Sequence, residues 1–411
     1  MNVEIIAIGS EILSGFTINT NAAFLSRELL KVGIPTKYHT ILPDSADELT
    51  KGLKQSLEKN DIIITTGGLG PTCDDLTRPI VASMFDSDFV FDEEIAKELE
   101  KRYSGKLTSL RDQATVPRKA KVLKNPLGTA PGLLFESGTV KLFLLPGVPA
   151  EMKEIFFHSV LPIILETYPE EKRRASLSMH FVSLIESQVD PVLRNLKERY
   201  PEIDFGVYPY RGRISVSMSV SAELKKEGKK YLMEPYRELQ SLYRDHFFES
   251  VSGHIEEAVH NLFIERKLTL SLAESCTGGT IASRLTAIPG ASSYFLGSLV
   301  TYSNKMKEML LGVSPETLET SGAVSKEVVS EMVGGLLKRT ESDYGIAVSG
   351  VAGPSGGTDE KPVGTVWAAI QKRGKAPIVW MMQARGSREM VIDYTVNVAL
   401  GKLYHLILEE G

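Results

Sequence analysis

The chain has 411 residues, 42% of them hydrophobic and 24% charged, with a formal net charge of -5. That length exceeds one ordinary core, so two or three domains are expected, and the composition is that of a soluble globular protein. The charge balance gives no basic patch for nucleic acid or an anionic membrane, and no run approaches the roughly 20 apolar residues of a membrane span. Met1-Asn2-Val3-Glu4 lacks a basic n-region and a small-residue cleavage site, so secretion is not expected. Cys73 and Cys276 lie far apart and each adjoins a Gly-rich motif, which argues against a structural disulfide and for a cytoplasmic protein.

Val3–Ile8 is a short apolar run ending in Gly9-Ser10-Glu11, as a buried parallel strand would. Leu25 and Leu29 mark the inner face of a helix that Gly33-Ile34-Pro35 stops. Ser45-Ala46-Asp47-Glu48 reads as a capping box, with Leu49, Leu53 and Leu57 along one helical stripe. A second buried strand over 61–66 leads into Gly67-Gly68-Leu69-Gly70-Pro71-Thr72-Cys73-Asp74-Asp75. Strand and helix patterns alternate as far as Val140–Leu145 and a helix starting near Ala150. Residues 1–170 therefore read as a doubly wound α/β layer with ligands at the carboxyl ends of its strands.

Glycines in the 67–75 loop let the backbone approach a phosphate and form an anion nest, and the paired Asp74 and Asp75 can hold a hard divalent cation. The loop is not a Walker A motif, because no Gly-Lys-Ser/Thr follows. A Gly-Pro turn with a capping Asp is the plainer alternative. Two further loops, Gly128-Thr129-Ala130-Pro131-Gly132 and Leu145-Pro146-Gly147-Val148-Pro149, can close the same pocket.

Glu170-Glu171-Lys172-Arg173-Arg174 is a solvated charged stretch and reads as a linker. After it Leu177, Met179 and Phe181 alternate with polar residues, and Ile214, Val216, Met218 and Val220 alternate with serines. With helix-like segments over 189–200 and 229–246, residues 171–250 form a small α+β module. No basic GXXG loop is present, so it is expected to be a spacer or dimerisation element and not an RNA binder.

Residues 253–411 open with a helical stripe over 255–264, followed by Leu268, Leu270 and Leu272 in strand alternation. Polarity then arrives as Glu274-Ser275-Cys276-Thr277, before Gly278-Gly279 and a small-residue helix over 280–287. Such a turn aims hydroxyls and free N–H groups at one spot, although an ordinary helix cap at Ser275 or Thr277 reads equally well. The turn Thr301-Tyr302-Ser303-Asn304 precedes a helix with Lys305 and Lys307. A buried strand over 345–349 ends in a Gly-rich loop over 350–358, and strands over 366–370 and Ile378–Gln383 precede a terminal helix opened by Arg385-Gly386-Ser387-Arg388.

A serine needs a base, and no His lies in these loops; His254, His260 and His405 all fall on helix-like segments. A desolvated lysine can serve instead, which makes Lys307 the candidate, with Tyr302 able to relay or orient a proton. Cys276 is a rival nucleophile at a helix N-terminus, and chemistry alone leaves that choice open.

Several motifs together carry a family resemblance. Gly9-Ser10-Glu11, Asn19-Thr20-Asn21, the run from Thr65 to Thr72 with Asp74-Asp75, residues 128–132 and residues 145–152 resemble the molybdopterin-binding-like domain of the CinA family. Residues 273–279, Thr301-Tyr302-Ser303-Asn304 with Lys307, residues 322–325, residues 350–357 and Lys361-Pro362-Val363-Gly364-Thr365 resemble the bacterial nicotinamide mononucleotide deamidase domain. The middle module resembles the family's KH-like connector.

For the first domain the resemblance implies metal-dependent hydrolysis of ADP-ribose, with Asp74 and Asp75 at a divalent metal (Mg, Mn or Co). It places Gly67, Gly68, Gly70 and Thr72 on the phosphates, with Gly9, Glu11, Asn21, Thr66, Gly128, Pro146 and Gly147 completing the nucleotide site. Related folds only bind molybdopterin, so binding without hydrolysis is the alternative. For the last domain it implies Ser275 as nucleophile, activated by Lys307 and Tyr302, with no metal or cofactor. Glu274, Cys276, Thr277, Gly278, Gly279, Ser349, Gly353, Gly356, Gly357, Thr358 and Arg388 are then expected at the substrate, with the oxyanion on N–H groups over 277–279. Lys305 fits the family spacing less well than Lys307.

This sequence departs from the pattern at three positions. Cys73 replaces a polar residue, Ser349 replaces Thr, and Ser387 stands where Asp commonly precedes Arg388. The resemblance also implies a homodimer and, as another class of function, a non-catalytic competence or damage-response binding protein.

Overall fold

A computed structural model describes residues 1–70, 75–104, 109–170, 173–221, 223 and 225–410. The chain divides into two compact units, Met1–Ser176 with Val220–Gly228, and Leu177–Ser219 with Lys229–Gly411.

The first unit is built on a six-stranded sheet in the order Tyr38–Leu42, Val3–Ile8, Ile62–Thr66, Val140–Leu145, Gly132–Ser137, Lys121–Leu123. The first four strands are mutually parallel, and the last two pairings, Val140–Leu145 with Gly132–Ser137 and Gly132–Ser137 with Lys121–Leu123, are antiparallel. Val3–Ile8 and Ile62–Thr66 are buried along their whole length, as strands covered on both faces must be. Alternate residues serve opposite cores: Val3, Ile5, Ile62 and Ile64 pack with Leu25, Leu29, Met152 and Phe156 on one face. Ile6, Ile8 and Ile63 pack with Leu49, Leu53 and Val81 on the other. This is a doubly wound α/β layer.

The capping box expected at Ser45 does not form. Ser45 sits at the N-cap of Ala46–Lys59 but makes no cap bond, and Glu48 is exposed. Asp47 and Glu48 instead place negative charge in the first turn, where the helix dipole favours it.

Beyond residue 175 a four-stranded sheet runs in the order Asp204–Tyr210, Arg213–Val220, Ala175–Val182, Phe247–Phe248. Ile214, Val216, Met218 and Val220 are buried in strict alternation. The helix expected over 229–246 runs from Lys225 to Leu242, because the chain must turn through residues 243–246 to enter the short Phe247–Phe248 strand.

The remaining residues form a five-stranded sheet in the order Phe295–Val300, Leu270–Glu274, Tyr344–Gly350, Thr365–Lys372, Ile378–Gln383. The first three are parallel, so the carboxyl ends of Phe295–Val300, Leu270–Glu274 and Tyr344–Gly350 share one edge. Helices cover both faces: Leu272 and Val348 pack with Val259, Val396 and Leu400 on one side, and Ala273 and Ala347 with Val329, Met332 and Leu336 on the other. Among the described residues no helix is long and apolar enough to cross a membrane.

One glycine is demanded by the way the first layer closes. Gly67 has φ 112, and its N–H donates to the Leu145 carbonyl. A Cβ there would collide with the Ile8 carbonyl oxygen, whereas one at Gly147 would lie 3.5 Å from Gly67 Cα, an ordinary contact. Gly67→Ala is therefore expected to lower the thermal midpoint and Gly147→Ala to leave it nearly unchanged, as read by a melting curve of each variant.

Candidate active site

The Leu270–Glu274 strand delivers its last residue, fully buried, against the start of the Thr280–Thr286 helix. Gly278 (φ 61) and Gly279 (φ 96) let the chain reverse within residues 275–279. The Glu274 carboxylate accepts from five donors: Thr277 Oγ1 (2.7 Å), Gly279 N (3.1 Å), Ile281 N (3.0 Å), Ala282 N (3.0 Å) and Ser298 Oγ (3.0 Å). These bonds fill its acceptor positions and cap the helix, so the Glu274 carboxylate is turned to protein donors.

The same geometry narrows the oxyanion donors. Gly279 N–H is held by Glu274 and Gly278 N–H by the Ser275 carbonyl (3.1 Å). Of the three amides expected there, that of Thr277 alone carries no bond among the described residues.

Lys307 enters from the Asn304–Leu311 helix, whose N-cap Ser303 accepts from Met306 N. Its side chain is 1% exposed. Nζ lies 3.0 Å from Ser275 Oγ and donates to the Thr301 carbonyl at 2.8 Å. Among the described residues Lys307 has no carboxylate partner. Burial lowers its pKa below the ordinary lysine value. Lys305, by contrast, is exposed.

Cys276 is turned into the hydrophobic core with Leu272, Ile281 and Val348. Burial pushes its thiol up to about 12, against the weaker pull of Lys307 and Arg388. A thiol so placed stays protonated at neutral pH.

A second group of side chains stands beside the first. Arg388 opens the Arg388–Glu409 helix and donates to the Gly353 carbonyl (2.9 Å) and the Tyr302 hydroxyl (2.9 Å). Tyr302, 61% exposed, is thus bonded to Arg388 and to neither Ser275 nor Lys307. Ser387 makes no pair with Arg388; its hydroxyl caps the helix by accepting from Met390 N. Ser349 is buried, and its hydroxyl donates to the Ala323 carbonyl at 2.7 Å, away from Ser275. Gly356, Gly357 and Thr358 lie on an exposed loop closed by reciprocal bonds between Thr358 and Lys361.

Two contributors had no sequence signal. The Thr301 carbonyl that holds Lys307 and the Val348 carbonyl that accepts from Ser275 N are backbone groups, which any residue type supplies.

In the first unit the loops after Val3–Ile8, Ile62–Thr66 and Val140–Leu145 share the carboxyl edge of the sheet. Glu11 folds its carboxylate back beside Gly9. Asn21 Nδ2 donates to the Gly147 carbonyl at 2.8 Å, while its buried Oδ1 has no partner among the described residues. Thr66 and Pro146 are buried at the strand ends, and Thr77 bonds the Gly67 and Gly68 carbonyls. Gly128 donates to Asn125 Oδ1, and Arg102 and Glu151 complete that loop's packing.

Asp75 stands against Gly70, but Thr72, Cys73 and Asp74 lie outside the described residues. Among the described residues no group of three or more His, Cys, Asp or Glu side chains forms a metal site.

Fold and site define a class: two α/β layers in one chain, the second with a buried serine–lysine pair at its strand ends. Residues 252–407 match the family described as CinA C-terminal domain, and residues 4–166 the one described as Probable molybdopterin binding domain. The chain is 36% identical over 404 residues to a competence-damage inducible protein of Clostridium botulinum (strain Kyoto / Type A2), covering 97% of this chain and 98% of that one. It is 36% identical over 413 residues to a similarly named protein of Acetivibrio thermocellus, covering 100% and 99%. The solved structure of competence/damage inducible protein CihA from Agrobacterium tumefaciens is 41% identical over 36% of this chain and 93% of its own, with a TM-score of 0.35. The chain belongs to the CinA family of competence/damage-inducible proteins.

The role of Glu274 as a cap is open to direct measurement. Glu274→Gln keeps the shape but turns an amide donor toward N–H groups. It is expected to cost about 1.5–3 kcal/mol or more, read as a lowered thermal midpoint of the full chain.

Proposed function

We propose that the C-terminal half is an amidohydrolase that converts nicotinamide mononucleotide to nicotinate mononucleotide and ammonia. The observation that supports this reading most is the buried, carboxylate-free Lys307 amine at 3.0 Å from Ser275 Oγ. In its neutral form the amine accepts the Ser275 proton, and Oγ attacks the carboxamide carbon. The oxyanion that forms is met by the Thr277 N–H. The Lys307 ammonium returns the proton to the leaving nitrogen, ammonia departs, and the acyl group stays on Oγ. Water, deprotonated by the same amine, then attacks the ester and releases the carboxylic acid and Ser275. The Thr301 carbonyl keeps Nζ aimed at Oγ throughout. Arg388, with Tyr302, is the proposed holder of the ribose phosphate. Cys276, protonated and core-facing, is not the nucleophile in this reading.

For the N-terminal half the proposal is hydrolysis of the pyrophosphate of ADP-ribose, dependent on added Mg, Mn or Co. Support comes from the loops gathered at one sheet edge and from the buried, unpartnered Asn21 Oδ1 beside Gly147. The two activities together make a cytoplasmic pyridine-nucleotide recycling enzyme, proposed to act as a homodimer.

Ser275→Ala is expected to lower kcat for ammonia release more than about 10³-fold, while Cys276→Ala keeps most of the rate. Retained activity in the first variant with loss in the second would overturn the assignment. Because the base must be unprotonated, kcat/KM should rise with pH through a lysine pKa below the ordinary value and fall as pH drops beneath it. Lys307→Arg, always protonated, should abolish turnover at every pH. For the other half, AMP release from ADP-ribose should appear on adding one of these metals. Nucleotide binding without AMP would establish the binding-only alternative.

A further inference from the structure

The hairpin tip between the Asp204–Tyr210 and Arg213–Val220 strands is Arg211-Gly212, and it is seated on the Arg388–Glu409 helix. Arg211 adopts the left-handed region (φ 39). Its guanidinium donates to Glu389 Oε1 at 2.9 Å and to Asp393 Oδ2, and its carbonyl accepts from Asn397 Nδ2 at 2.8 Å. Gly212 has no room for a side chain, since a Cβ there would lie 2.8 Å from the Tyr394 ring. The chain of bonds continues inward. Asn397, fully buried, accepts on Oδ1 from Arg284 at 2.8 Å, and Arg284 forks onto Glu256 at 3.0 and 2.7 Å.

Both helices held by this network start at the candidate site. Arg284 belongs to Thr280–Thr286, which follows the Ser275 turn, and Glu389 directly follows Arg388. Nothing in the serine–lysine chemistry calls for the network, and the hairpin belongs to the middle segment.

We propose that Arg211 is a positioning residue for phosphate recognition, fixing the first turns of the Arg388–Glu409 helix so that Arg388 meets the substrate phosphate. This rests on the amidase reading of the site. Glu389 and Asp393 are four apart on the helix and repel one another without a cation between them. With Arg211 in place they are neutralised, and Arg388 keeps its bonds to Gly353 and Tyr302. Without it, two carboxylates are released beside Arg388 and compete for its guanidinium. The middle segment thereby becomes part of the specificity apparatus of the C-terminal domain.

The test uses the full chain with Arg211→Gln and with Glu389→Gln, an exposed position chosen as the milder change. KM and kcat are measured for nicotinamide mononucleotide and for the phosphate-free riboside, and calorimetric affinities are measured for both. Arg211→Gln is expected to raise KM and Kd for the mononucleotide about 3–30-fold, with kcat and all riboside values nearly unchanged. Glu389→Gln should shift the same constants less. Combined with Arg388→Gln, Arg211→Gln should add nothing further. Equal losses for both substrates, or no loss, would overturn the proposal. Wild-type binding of the mononucleotide without ammonia release would sink the amidase reading alone, because the affinities still test Arg211. Absence of binding would sink both.

Discussion

The structure of the C-terminal domain depends on an amine buried without a countercharge. Desolvating Lys307 costs free energy as long as it is protonated, and no carboxylate repays it among the described residues. What it gains instead is a carbonyl, Thr301, and a hydroxyl, Ser275. Nζ donates to both, and in the neutral amine the bond to the serine can be reversed so that the hydroxyl donates. Burial therefore moves Lys307 toward the protonation state in which a lysine can act as a base, and the fold places its Nζ against the Ser275 oxygen.

A carboxylate close by in sequence to Ser275 would undo this arrangement if it were free to pair. Glu274 is not free. Its five donors come from the start of the Thr280–Thr286 helix, Thr277 and Ser298, so the negative charge is satisfied by helix amides and hydroxyls. A buried carboxylate and a buried amine thus lie close together without pairing among the described residues. Glu274 builds the turn, with Gly278 and Gly279 in the left-handed region, and Lys307 reaches its Ser275 from the neighbouring helix.

Much of this was legible in the sequence because periodicity reports burial. The alternation at Ile214–Val220 and the apolar runs at Val3–Ile8 and Val140–Leu145 translate directly into strands. The gathering of Ser275 and Lys307 was legible too, since strand ends of a parallel sheet converge at one edge. Side-chain direction was not. Glu274 and Ser349 lie within the expected motifs, yet one is turned to a helix and the other to the Ala323 carbonyl. Spacing says that a polar group is near a site, not which neighbour claims its lone pairs. The Ser45 capping box does not form although its residue types are in place, and Tyr302 bonds Arg388 because Arg388 arrives from far along the chain. Backbone acceptors such as the Thr301 carbonyl leave no trace in residue identity at all.

The central claim is that the oxygen of Ser275, and not the neighbouring sulfur, carries the acyl group while Lys307 manages its proton. Intact-mass and peptide-fragmentation analysis of the chain, acid-quenched during turnover of nicotinamide mononucleotide, reads this directly. The expected result is a covalent nicotinoyl nucleotide adduct on Ser275 that is absent from Ser275→Ala. An adduct on Cys276, or full turnover by the Ser275→Ala chain, would contradict it.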